Sequence, residues 1–305
     1  RTLTQKALLY TEMVTAPALV HGNLDRLTQH STEEYPLALQ VGGSDPDELY
    51  TATEYVKELG FYEINLNLGC PSDRVQAGCF GAALMTDPDR VSECLEAMLN
   101  AAGSQGPYIT AKIRLGVNDQ NTEKTLPEFL EMLRRRNIRR VIVHARKAVL
   151  GGLSPKENRE IPPLNYDLVQ KMKYQFTDME IILNGGLKSL DQCIQQLSVF
   201  DGVMVGRAAY QTPRILLGVD HQVFGSDPPH KTAFEALMAY QPYVESVLAQ
   251  GFPLKHLTRH LVGLYHKVPG ARRYRQILSE RAHLPGANWK VMEDALAAIP
   301  DVETI

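Results

Sequence analysis

The sequence predicts an α/β fold: a (β/α)8 TIM barrel followed by a C-terminal helical bundle domain. Three observations predict it. β-rich runs alternate with helical stretches through the first 225 residues, the polar residues of those runs gather at their C-terminal ends, and beyond residue 225 only helical patterns remain. A chain of 305 residues with 44% hydrophobic side chains has material for one large core and a smaller second one.

The runs, in order, are "LLYTEMV", "PLALQVGG", "YEINLNLGC", "YITAKIRLG", "RVIVHAR", "EIILNGG" and "DGVMVGR". Between them, "DPDELYTATEYVKELG" and "DPDRVSECLEAMLNAAG" each open on an Asp that can cap free N–H groups and close near a Gly that can end a helix. Such alternation calls for a parallel sheet covered by helices, either doubly wound or closed as a barrel, and periodicity alone leaves both open. The polar residues favour the barrel. Gln40, Asn67 with Cys70, Lys112 with Arg114, His144 with Arg146, Asn184 and Arg207 all stand at C-terminal ends of runs, which in a barrel converge on one mouth. Seven runs are legible and residue 1 is Arg, so a further first strand is expected to precede it. The domains expected are 1–225, the barrel, and 226–305, the helical domain, joined through "GSDPPH".

Composition narrows the partners. No run approaches the roughly 18–20 continuous apolar residues of a membrane span, and the N-terminus does not read as a secretory signal, so a cytoplasmic protein is expected. Cys70, Cys79, Cys94 and Cys193 form no CxxC pair, which argues against a disulfide framework and a structural zinc site. His256 and His260 stand four apart but lack a nearby carboxylate or thiolate, and no metal is expected. The net charge of −3 hides an uneven distribution: residues 251 to 290 carry eight Lys and Arg against one acid, Glu280. A polyanion can use such a face; a solvated helix surface is the plainer reading.

Two glycine features follow the last runs, "NGGL" from Asn184 and "GRAAY" from Gly206. Loops after the seventh and eighth strands of a barrel form its usual phosphate site, so Gly185, Gly186, Gly206 and Arg207 point to a phosphate-bearing cofactor. Lys112 and His144 can polarise an electron-rich ring or hold a phosphate, and the lysine can alternatively form a Schiff base. Gln40 and Asn67 offer amides of the kind that read the edge of a flat heterocycle.

"NLNLGCPSDRVQAGCFGAALM", with "LQVGG", "KIRLG", "VHAR", "NGGL" and "GVMVGRAAY", resembles the tRNA-dihydrouridine synthases, and "LLYTEMV", "GLSPKENR" and "PGARRYR" resemble their A-type subfamily. The resemblance covers nearly the whole chain in order. It implies an FMN barrel, a helical tRNA-binding domain, and an oxidoreductase that reduces the C5–C6 bond of uridine to 5,6-dihydrouridine in the D-loop of tRNA, at positions 20 and 20a for this subfamily, with NADPH (or NADH) as reductant. Carried over residue by residue, Gln40, Lys112, His144, Asn184, Gly185, Gly186, Gly206 and Arg207 would bind flavin, and Asn67 would sit by the target base. Cys70 would be the general acid, with the loop after it a mobile element bringing the thiol to C5. Lys156, Arg159, Arg272 and Arg275 would orient the tRNA. The family's flavin loop of the form APMxDxTD has no counterpart upstream of Leu8.

That chemistry suits the residue types. Hydride at C6 and a proton at C5 require flavin on one face and an acid at the neighbouring carbon, and a thiol with an ordinary pKa of about 8.5 is mostly protonated at neutral pH. Cys79 is expected to be structural, and Cys94, within a helix pattern, and Cys193 to be core or surface thiols. A small-molecule flavin oxidoreductase of the dihydroorotate dehydrogenase type would explain the barrel, Lys112 and Cys70 but not the basic helical domain; a non-enzymatic RNA-binding protein would leave the polar rim idle. A monomer is assumed.

Overall fold

Strand β3 (Leu37–Gly42) has β1 (Leu9–Tyr10) and β2 (Val14–Thr15) along one side and β4 (Glu63–Leu68) along the other, in a computed structural model described for residues 1–72 and 78–304. The sheet continues through β5 (Tyr108–Arg114), β6 (Arg140–His144), β7 (Glu180–Asn184) and β8 (Gly202–Met204), and every pairing is parallel. This is the strand order of an α/β barrel, with the predicted first run divided into β1 and β2 against the same neighbour.

The helices begin where capping chemistry places them. Asp45 accepts hydrogen bonds from the backbone N–H of Asp47 (2.9 Å) and Glu48 (3.1 Å), opening the helix Pro46–Val56. Asp87 does the same for Arg90 (3.1 Å) at the head of the helix Pro88–Ala102, which ends on Gly103 at φ +67°. Proline follows each capping Asp, at the helical position where its missing N–H costs nothing. Leu49, Ala52 and Val56 on the first helix and Leu95 and Met98 on the second join Ile64, Leu66, Leu68, Ile113 and Val143 of the strands in one apolar core. The even-numbered residues of β4 thus face the helices, which leaves the odd-numbered ones, Glu63, Asn65 and Asn67, on the opposite face.

The chain forms two compact units. One comprises Leu8–Gly186 and Gln195–Met204 and contains all the strands; the other comprises Arg1–Ala7, Leu187–Ile194 and Val205–Ile305. The second has its own core around Tyr265, Tyr274, Trp289, Met292 and Leu296, with the rings of Tyr265 and Tyr274 edge to face at 5.1 Å. Residues 1–7 belong to it through Asp220, which is buried and accepts from the Thr4 hydroxyl, the Gln5 N–H (2.7 Å) and the Lys6 N–H (3.2 Å). Beyond residue 225 the sequence carries helical patterns over 231–251, 253–270, 271–284 and 288–300, and three of these form helices over much of their length, Ala233–Ala249, Ala271–Arg281 and Lys290–Leu296. The other, expected through 253–270, is helical only over Leu254–Thr258 and then proceeds by i to i+3 turns. Gly263 explains the break, since a Cβ there would lie 1.9 Å from the Gln211 carbonyl oxygen; Lys267 follows at φ +65° and Pro269 closes the segment.

Candidate active site

A buried strand of a parallel barrel normally reads as an apolar run. β4 and β5 depart from that on one face only. In-register pairing sets Gln40 beside Asn65, Asn65 beside Thr110, Asn67 beside Lys112, Arg114 beside His144, and His144 beside Asn184. The predicted residues of β3 to β7 therefore occupy neighbouring strands on a shared face, with Asn67, Lys112, Arg114, His144 and Asn184 at the C-terminal ends.

Cys70 sits one turn beyond β4 and is held from both sides. The Asn67 side-chain oxygen accepts the backbone N–H of Gly69 (3.1 Å) and of Cys70 (3.0 Å), while the Cys70 carbonyl accepts the N–H of Ala82 at 2.9 Å. Its half-buried thiol donates to the Ser72 hydroxyl across 3.5 Å. The Gly69 carbonyl accepts from Arg114 Nε (3.0 Å), and the same guanidinium reaches the carbonyls of Asn158 (3.0 Å) and Lys147 (3.3 Å). Burial, with Arg146 and Arg159 nearby, lowers the Arg114 pKa to about 10 even though Cys70 opposes the shift. Asp73 to Ala77, the middle of the loop expected to carry the thiol, lie outside the described residues. Cys79 is exposed, and Cys94 and Cys193 are buried.

Lys112 is half-buried and forms no ion pair with a carboxylate among the described residues. Burial first, and the Arg114 charge second, push its pKa down to about 8, with Cys70 pulling the other way. His144 is buried, and its ring lies against the backbone of Gly185: a Cβ at Gly185, φ +106°, would stand 2.5 Å from His144 Cδ2. A Cβ at Gly186, φ +76°, would stand 2.5 Å from Leu164 Cδ1 and 2.9 Å from the Tyr166 hydroxyl, which itself donates to the Gly185 carbonyl. The Asn184 side chain donates to the Met204 carbonyl (2.8 Å), fastening β7 to β8. Gly185→Ala is expected to displace the His144 ring. The measurement is the histidine ring resonance together with thermal stability, with a loss of about 1–3 kcal/mol from strain at this φ.

Lys156 is exposed and Arg159 half-buried around the short helical turn Glu157–Arg159. Asn158 between them is wholly buried: it accepts from the Val149 N–H (2.7 Å) and donates to the carbonyls of Val149 (2.9 Å) and Leu153 (3.2 Å). Arg114 thereby links the Cys70 turn to the loop that presents Lys156 and Arg159.

In the other unit, Gly206 precedes the five-residue helix Arg207–Gln211, and a Cβ added to Gly206 would meet nothing within 4 Å. Arg272 and Arg275 lie three apart on the helix Ala271–Arg281, whose opposite face buries Tyr274, Ile277 and Leu278. Neither forms an ion pair among the described residues. The basic cluster is less uniform than its sequence suggests, since Arg281 and Lys290 both pair with Asp294 (2.8 and 3.2 Å), beyond the basic window. Among the described residues no group of three or more His, Cys, Asp and Glu is placed to hold a metal ion.

Sequence reading named Arg114 only as a rim residue and passed over Asn158, Glu63, Asn65 and Thr110. The polar alternation of "EINLN" and "ITAKIR" was the signal that would have found the β4 and β5 members.

The fold and the rim define an α/β-barrel enzyme, with a thiol, a half-buried lysine and a glycine-backed histidine at strand C-terminal ends. The chain belongs to the dihydrouridine synthase family, whose profile matches residues 1–299. It is similar to the tRNA-dihydrouridine(20/20a) synthase of Xanthomonas axonopodis pv. citri, with 50% identity over 97% of this chain and 87% of that relative. Those of Vibrio parahaemolyticus (47%; 98% of this chain, 91% of the relative) and Salmonella typhi (47%; 99% and 90%) bear the same name. Among the described residues no helix is long and apolar enough to cross a membrane.

Proposed function

We propose that this protein reduces uridine to 5,6-dihydrouridine in tRNA, at positions 20 and 20a, the positions in its relatives' name. The observation that carries the reading is the fixed Cys70 turn near a lysine without a carboxylate partner and a glycine-backed histidine within a dihydrouridine synthase chain. The residues fit FMN: a cation without a carboxylate partner suits an electron-rich ring or a phosphate, and Gly185 and Gly186, at positive φ, let the backbone pack directly on His144, Leu164 and Tyr166 and so hold the histidine at the rim. Gln40, Lys112, His144, Asn184, Gly185 and Gly186 would hold it; the part read for Gly206 and Arg207 rests on family membership. When bound and reduced by NADPH or NADH, FMN supplies hydride for C6.

The chain's own residues do the rest. Asn67 orients the extruded base, and the Cys70 thiol, held through both its N–H and its carbonyl, gives its proton to C5. Extrusion costs a few kcal/mol, offset by phosphate contacts from Lys156, Arg159, Arg272 and Arg275. Residues 1–225 would thus carry the chemistry and 226–305 the RNA docking, in the cytoplasm where tRNA is processed.

Incubation with unmodified tRNA, FMN and NADPH, followed by mass spectrometry, is expected to yield dihydrouridine. Turnover of a free pyrimidine but not of tRNA would replace this reading with a small-molecule flavin oxidoreductase. Binding of tRNA should weaken steeply with salt, and Arg272→Gln/Arg275→Gln should flatten the log–log salt slope by about 0.7–0.9 per lost phosphate contact, measured by filter binding.

A further inference from the structure

One hydrogen-bond chain runs through the polar face from one end of β4 to the other. At its base Glu63 is fully buried; one carboxylate oxygen accepts from Tyr10 (2.5 Å) and Thr110 (2.7 Å), the other from Arg140 (3.2 Å). Burial, and the carboxylate beside it, raise the Tyr10 pKa, which keeps the phenol a donor. Thr110 spends its only hydrogen on Glu63, so its oxygen accepts from Asn65 Nδ2 at 2.8 Å. Asn65 Oδ1 then accepts from Gln40 Nε2 (3.0 Å), and Gln40 Oε1 from Asn67 Nδ2 (2.8 Å). Asn67 Oδ1 is left for the N–H groups of Gly69 and Cys70 (3.1 and 3.0 Å).

The direction of this chain is dictated at both ends. A carboxylate can only accept, and backbone N–H groups can only donate. Turning any one of the three amides over would set oxygen against oxygen or N–H against N–H with its neighbours, inside a region where unmet polar groups cost about 1–3 kcal/mol each. We infer that Glu63, Thr110 and Asn65 are positioning residues: they fix the polarity of Gln40 and Asn67 and, through Asn67, the turn that carries Cys70.

A consequence concerns the ligands. Each carboxamide nitrogen carries two hydrogens and the chain uses one, while Asn67 Oδ1 already accepts two bonds and Gln40 Oε1 one, so Asn67 offers N–H, not C=O, and Gln40 offers a free N–H, each meeting an acceptor on whatever it binds. On the function proposed above, on which this consequence rests, those acceptors are carbonyl oxygens or unprotonated ring nitrogens of flavin and of uracil.

Thr110→Val keeps the shape and removes the donor to Glu63, whereas Thr110→Ser keeps the hydroxyl. In the full chain labelled with 15N, Thr110→Val is expected to speed hydrogen exchange of the Cys70 amide by roughly threefold or more, with Thr110→Ser near wild type. FMN affinity, followed by flavin fluorescence, should fall by roughly tenfold in the Val variant and be restored in the Ser variant. Glu63→Gln, which can donate as well as accept, should loosen the Cys70 amide in the same way. Wild-type exchange at Cys70 in Thr110→Val, or a Ser variant no better than Val, would overturn the inference. Should the wild type bind no FMN, the proposed function falls, while amide exchange still decides whether the chain of bonds holds the Cys70 turn.

Discussion

Cys70→Ala should bind FMN and tRNA as the wild type does, yet form dihydrouridine roughly 10²–10⁴-fold more slowly, the usual range for losing a positioned general acid. The turn should survive the change, because the Asn67 and Ala82 contacts are made by the Cys70 backbone, not by its thiol. What disappears is the proton for C5. Single-turnover reaction with prereduced enzyme isolates that step, since flavin oxidation by bound tRNA slows while flavin reduction by NADPH does not. A rate equal to wild type would remove Cys70 from the chemistry. Cys79→Ala, altering an exposed residue at φ +52°, is the comparison that shows whether any thiol on the loop suffices.

Lys112→Met should have the next largest effect, weakening FMN by about 10–100-fold at neutral pH, as expected for loss of a hydrogen bond from a charged group. The pH dependence is the sharper test. With its pKa near 8, Lys112 is charged in the free protein below that value and neutral above it, so FMN affinity should fall as pH rises through about 8. Lys112→Met should abolish that component, and Lys112→Arg should keep affinity across the range. Stability carries the opposite sign. The folded value lies below the ordinary lysine value of 10.5, so between 8 and 10.5 the unfolded chain binds more protons, and this residue's contribution to stability rises with pH. Chemical denaturation of the cofactor-free protein at pH 8 and pH 10, compared with Lys112→Met, reads that difference.

Much of the barrel was legible because its cues are local. Asp45 and Asp87 announce their helices, and the β runs carry their polar residues at one end, which is enough to order the strands and to bring residues from five of them onto one rim. The helical unit was less legible where tertiary contact overrides propensity: the amphipathic pattern through 253–270 continues past Thr258, but the close approach of Gly263 to the Gln211 carbonyl does not allow the helix to follow it. Partners distant in sequence were also invisible. Arg114 read as another basic rim residue because its acceptors, carbonyls of Gly69, Lys147 and Asn158, leave no trace in side-chain identity. Glu63 read as the start of a strand, since only the register that sets it beside Tyr108 and Ala38 reveals that it is enclosed.

Asp220 has a consequence for the order in which the molecule assembles. The Thr4 side chain that it holds lies 216 residues earlier in the chain, with the whole strand-bearing unit between them. During synthesis the barrel strands therefore emerge, and can collapse, while residues 1–7 still lack their partner. The final docking of that segment is a long-range closure, slow by nature and placed late by topology. Its completion reports that the last third of the chain has arrived and folded.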